Sequence, residues 1–95
     1  MIELLAATLI ASVNNVEGFI GVVVSRGGRV MTVHKTSPAM TMQIASGDVI
    51  LSCNGVKGIK GITGPAYSLA HLKIKRDSEL IDLDVIRVPK QFIED

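Results

Sequence analysis

The sequence predicts a small α+β domain, mainly β, and three observations carry that expectation. Short runs rich in Val, Ile and Leu recur between glycine and asparagine turn signals, as strands do. Ser37-Pro38-Ala39 opens a short helical stretch. Hydrophobic residues reach 47% while aromatics supply 3%, so the interior has to be built from aliphatic side chains. A chain of 95 residues buries one modest core, and apolar surface beyond that core is available to a partner. The organisation expected is a single domain over residues 1–95, with an N-terminal strand or helix extension at 1–15, a core at 16–88 and a tail at 89–95.

Met1 to Val13 is nearly continuous apolar sequence with no Lys or Arg ahead of it. It is shorter than the roughly 18 residues a membrane span needs, which disfavours an anchor and a secretory signal alike. Ile2, Leu5, Ala6, Leu9 and Val13 share a helical face, yet Thr8 to Val13 would also serve as a strand, and periodicity leaves both open. Asn14-Asn15 marks a turn.

Gly18-Phe19-Ile20-Gly21 then leads into Val22-Val23-Val24, whose branched side chains suit a pleated strand. Gly18 and Gly21 let the backbone bend ahead of it. Arg26-Gly27-Gly28-Arg29 reads as a hairpin turn, and Val30 to His34 as the returning strand. Ser37 caps a helix that accepts Pro38 in its first turn and is stopped by Gly47. Val49 to Cys53 is apolar on both faces, as a central strand is, and Asn54-Gly55 turns the chain.

Glycines recur every third residue from Gly55 to Gly64, which reads as a loop or a frayed edge. Pro65 is expected to open a second helix through Lys73 or Ile74, with Ala66, Leu69, Ala70 and Leu72 turned inward. Asp77-Ser78 turns the chain again, and Ile81, Leu83 and Val85 alternate with Asp82 and Asp84 in a half-buried last strand that Pro89 closes.

In this order the features resemble a PDZ domain of the bacterial, protease-associated type, over about Val16 to Val88. The most specific part is S-P-A followed eight residues later by G-D-V-I-L-x-x-N-G. The resemblance implies a partly open antiparallel β-barrel of five to six strands with two helices, and a peptide groove between the second strand and the second long helix. There a C-terminal or internal segment would bind by β-strand addition, drawing affinity from main-chain hydrogen bonds. Carried over residue by residue, the family's loop falls on Phe19-Ile20-Gly21-Val22, whose N–H groups would face a terminal carboxylate. Val22, Val23 and Val24 would receive the peptide, Leu69 and Leu72 would wall the pocket, and Pro65 would stand near the helix start.

Two positions depart from the family. The histidine with which many members select a ligand hydroxyl is replaced by Pro65. Glu17, directly ahead of the loop, stands where many members carry a basic residue, and would repel a carboxylate.

No catalytic or metal-ligating pattern emerges, so neither an enzyme nor a cofactor is expected. His34 and His71 are the only histidines, no G-x-S-x-G elbow is present, and the single Cys53 supplies neither a disulfide nor a zinc site. Cys53 reads instead as a small buried hydrophobe, which leans the chain toward a reducing, cytoplasmic setting. An adaptor or regulatory peptide-binding role follows.

Two other classes compete. Gly58-Ile59-Lys60-Gly61 is a G-x-x-G loop of the kind that clamps a nucleic-acid backbone, with Lys57, Lys73, Lys75 and Arg76 adding charge. A self-associating structural domain, pairing through Met1 to Val13 and an open sheet edge, is the other.

Overall fold

The computed structural model describes residues 16–93. In chain order they form β1 (Glu17–Gly18), β2 (Val22–Val24), β3 (Val30–Val33), α1 (Pro38–Thr41), β4 (Val49–Cys53), β5 (Val56–Lys57), β6 (Gly64–Pro65), β7 (Leu69–Arg76) and β8 (Glu79–Ile86), with a 3-10 turn at Lys90–Phe92. The expected extension at residues 1–15, with its strand, docking-helix and self-association readings, lies outside the described residues.

The strands do not close into the expected barrel. They make three antiparallel sheets, β1–β6, β2–β3 and β5–β4–β7–β8, joined by isolated bridges between Phe19 and Val88 and between Arg29 and Val49. Strands β1, β5 and β6 are two residues each, so the strand count exceeds the expected five to six without adding much sheet.

The expected second helix is absent among the described residues, and strand β7 takes its place. Ala70, Leu72 and Ile74 are fully buried, while Leu69, His71, Lys73 and Lys75 point outward. This is a period of two, not 3.6. The helical spacing of Ala66, Ala70, Leu69 and Leu72 is outweighed by pairing on both sides: β7 lies between β4 and β8 and matches β8 from Leu69↔Ile86 to Arg76↔Glu79. Burial and two ladders outweigh the weak local preference of so short a window.

The first helix forms where expected and ends sooner. Ser37 Oγ accepts from the Met40 N–H at 3.1 Å and donates to the His34 carbonyl at 2.8 Å, so one hydroxyl caps the helix and ties it to the end of β3. The helix stops at Thr41, well short of Gly47. Gln43 takes the left-handed conformation (φ 63°), its N–H reaches the Met40 carbonyl, and the Ile44 N–H reaches the Ala39 carbonyl, both at 3.0 Å. This is a Schellman close in which a glutamine does what glycine usually does. Ile44 and Ala39 both sit in the core.

The interior is aliphatic as expected. Ile20, Val30, Ile50, Leu72, Ile74 and Val85 are its largest buried side chains. Asp48 and Arg76 clamp its rim: Arg76 Nε lies 2.9 Å from Asp48 Oδ1 and Nη2 lies 2.8 Å from Oδ2. The Ala45 N–H adds a bond to Asp48 Oδ2 at 2.9 Å. Chiefly through the Arg76 hydrogen bonds, the carboxyl is held below its ordinary range despite its burial.

Among the described residues no helix is long and apolar enough to cross a membrane.

Candidate functional site

The segment from Gly58 to Ser68 carries almost no regular structure, and a buried arginine organises it. Arg87, on the chain leaving β8, is 4% exposed. Its Nη2 donates to the Gly61 carbonyl at 2.6 Å, its Nε to Ile62 at 3.2 Å, and its Nη1 to the Leu69 carbonyl at 3.0 Å and Ser68 Oγ at 2.9 Å. Four neutral acceptors thus share one buried cation, whose fixed fork suits several oxygens at once. Cys53 lies beneath this junction, fully buried, with its Sγ 3.1 Å from the Gly61 carbonyl. Burial pushes the thiol above its ordinary range, and the Arg87 charge offsets part of that.

So pinned, the loop presents Ile62 and Thr63 opposite the Gly18–Val22 bend. A cavity of about 470 Å³ is lined by Phe19, Ile20, Gly21 and Val22 on one side, and by Ile62, Thr63, His34, Lys90 and Ile93 on the others. That volume is typical of small-ligand sites, which span ~300–1,000 Å³.

The bend is held at each end. Phe19 and Val88 exchange backbone hydrogen bonds at 2.8 and 2.9 Å, the Ile20 carbonyl accepts from the Ala39 N–H at 2.9 Å, and the Gly21 carbonyl from the His34 N–H at 2.9 Å. The N–H groups of Ile20 and Gly21 donate to no backbone or side-chain acceptor among the described residues. Gly21 has φ 90°, and a Cβ there would stand 2.1 Å from Ser37 Cβ, so only glycine lets this turn approach the helix cap. Beyond it β2 pairs with β3 alone among the described residues, leaving one edge open.

Phe19, Ile20, Gly21 and Val22 therefore come together as the sequence suggests, with Val23 and Val24 continuing along the open strand. Pro65, Leu69 and Leu72 do not join them, because the helix meant to carry them is not there. Pro65 lies in β6 opposite Glu17. Leu72 is a fully buried core residue of β7. Leu69, 56% exposed, lines a different groove of about 440 Å³, together with Pro38, Thr41, Met42, Ile86 and Phe92.

Ile62, Thr63, Lys90 and Ile93 were not legible as site residues. Nothing in G-I-K-G-I-T-G signals that a distant arginine would hold it against the bend, and the tail after Pro89 has no periodic pattern. Among the described residues Glu17 does not line the cavity, whereas Lys90 does.

Acidic residues interleave with part of the basic run. Lys73 stands opposite Asp82 and His71 opposite Asp84 on the outward side of β7–β8. His71 Nδ1 lies 2.5 Å from Asp84 Oδ1, and Arg76 is committed to Asp48. Among the described residues no group of three or more His, Cys, Asp or Glu side chains is arranged to hold a metal ion.

No protein-family model matches the chain, and no curated protein matches it in sequence. Among solved structures it is similar to a photosystem II D1 C-terminal processing protease, at 21% identity with a TM-score of 0.66. The match covers 86% of this chain and 26% of that one. The likeness is one of fold: a small, mostly β, PDZ-like domain.

Proposed function

We propose that this chain is a peptide-binding module, not an enzyme, that takes an extended segment along the open edge of β2 with its end at the Phe19–Val22 bend. The observation that carries this reading is the pair of N–H groups on Ile20 and Gly21, which have no acceptor among the described residues; both residues line the cavity, beside a strand edge that is unpaired among the described residues. Extended peptides satisfy such an edge by strand addition, and adjacent N–H groups suit a carboxylate or carbonyl oxygen. The fold likeness to a protease with a PDZ domain supports the same class.

The second wall differs from the one the family resemblance implies. Ile62 and Thr63, on a loop, stand in for a helix, so the segment held is short and its affinity modest. Adaptor or regulatory work within a larger proteolytic or assembly system fits such a module, and the lone buried Cys53 suits a reducing, cytoplasmic setting. Nucleic-acid binding has less support, because Lys73 stands opposite Asp82 across the ladder and Arg76 is paired with Asp48.

The test is a backbone amide titration with a library of peptides carrying free and amidated C-termini. Shifts should concentrate at Phe19 to Val24 and at Ile62 and Thr63. A library that moves none of these amides would refute the reading.

A further inference from the structure

We infer that the apolar groove beside α1 is the docking site of the chain's own segment Thr8 to Val13, which adds as a strand to the outer edge of β8. The groove shares no lining residue with the cavity at the Phe19–Val22 bend.

The edge is long and open. β8 pairs with β7 alone among the described residues. Just beyond it, the Arg87 N–H reaches the Ser68 carbonyl at 2.9 Å and the Arg87 carbonyl accepts from the Tyr67 N–H at 2.7 Å, both toward the start of β7. Val88 turns its N–H and carbonyl the other way, to Phe19. Antiparallel strands alternate in this manner, so Asp84 and Ile86 direct their main-chain groups to the side that Phe19 occupies. His71, opposite Asp84, shows the same alternation on β7: its carbonyl accepts from the Asn54 N–H at 2.8 Å, away from β8. The chain does not follow Phe19 along the β8 edge, because the Ile20 and Gly21 carbonyls accept from Ala39 and His34 instead.

Beside these main-chain groups lies the groove of about 440 Å³. Met42, Leu69, Ile86 and Phe92 line it and are all exposed. Its one charged lining residue, Asp84, is already engaged by His71. Apolar exposure along an open edge is a template for a further strand.

Composition, tether and charge together choose the occupant. Leu4 to Val13 carries no charge, and Leu9, Ala11 and Val13 would share one face of a strand. The described chain begins at Val16, three residues after Val13 and three before Phe19. Phe19 is bonded to Val88, which lines the groove, so the segment is tethered at the groove's end. Asn14-Asn15, a turn signal, lets the chain reverse between them. So short a link holds the segment at high effective concentration. A second copy fits worse: two β8 edges paired antiparallel about Leu83 would set Asp82 against Asp84 at two places, and facing like charges destabilise a ladder.

The experiment is amide hydrogen exchange on the full chain, read residue by residue by NMR. The Asp84 and Ile86 N–H groups should exchange about a hundredfold or more slower than unprotected amides, and tenfold dilution should not change this. The double variant Leu9→Asp, Ala11→Asp should return both to near-unprotected rates, while Val85, which faces Ala70 across the ladder, stays protected. Unprotected Asp84 and Ile86 amides in the wild type would overturn the docking outright, with no variant needed. Protection that survives the double substitution would overturn the choice of segment. Protection lost on dilution would assign the edge to a second copy and overturn docking within one chain.

Discussion

The guanidinium of Arg87 donates to the Gly61 carbonyl at 2.6 Å. That contact joins the end of the last strand to a glycine-rich loop with little structure of its own. The same side chain reaches Ile62, Ser68 and Leu69, so the loop wall of the candidate groove depends on one buried cation. Arg87→Met removes the donors and strands buried carbonyls. It should cost about 3 kcal/mol, or a fall of roughly 15 °C in Tm. Amide exchange should also quicken from Gly61 to Leu69 before the β7–β8 ladder opens. Uniform loosening of the whole domain would contradict the local role.

Gly21 and Gly47 separate two costs of adding a methyl group. Both have positive φ, 90° and 98°, but a Cβ at Gly47 meets nothing within 4 Å whereas one at Gly21 meets Ser37 Cβ at 2.1 Å. Gly47→Ala should cost about 1 kcal/mol from backbone strain alone. Gly21→Ala should cost about 2–4 kcal/mol, since the helix cap must also shift. Urea denaturation of both variants measures the difference.

Gln43 offers a stabilising change. It is exposed and left-handed at the end of α1, where glycine adopts the same φ without a Cβ penalty. Gln43→Gly should raise stability by about 0.5–1 kcal/mol in urea denaturation, with the Arg76 bond to the residue 43 carbonyl retained because it uses the backbone.

Asp48 ties stability to acid pH. Its folded pKa lies below the unfolded value of about 3.9, chiefly through the Arg76 hydrogen bonds. Its contribution is thus complete above the unfolded value and lost as pH falls through the folded one. Asp48→Asn should be less stable than the wild type at pH 7, and the gap should narrow below about pH 4. Urea midpoints from pH 7 to pH 2.5 test this; a gap that stays constant would mean that the carboxylate charge is not what Asp48 contributes.

Much of the domain was legible because the signals are local. The Ser37 cap, the turn at Asn54-Gly55 (φ 51° and 79°) and the strands at Val22–Val24 and Val49–Cys53 depend on residues within a few positions of each other. Gln43 shows the limit: no glycine marks the end of α1, so the chain reads as helical up to Gly47. Strand β7 shows it more strongly, because its eight residues, Leu-Ala-His-Leu-Lys-Ile-Lys-Arg, satisfy a helical face and a strand face almost equally.

The amino-acid order thus decided the fold class, the capped helix, the hairpin turns and the Phe19–Val22 bend, each through backbone preference and hydrophobic spacing over short range. Only the tertiary structure decided which residues face that bend. Arg87 holds Ile62 and Thr63 there from 25 and 24 positions away, and the Phe19–Val88 bridge brings Lys90 and Ile93. Such partners meet through long-range pairing, which leaves no periodic trace in the segments it joins.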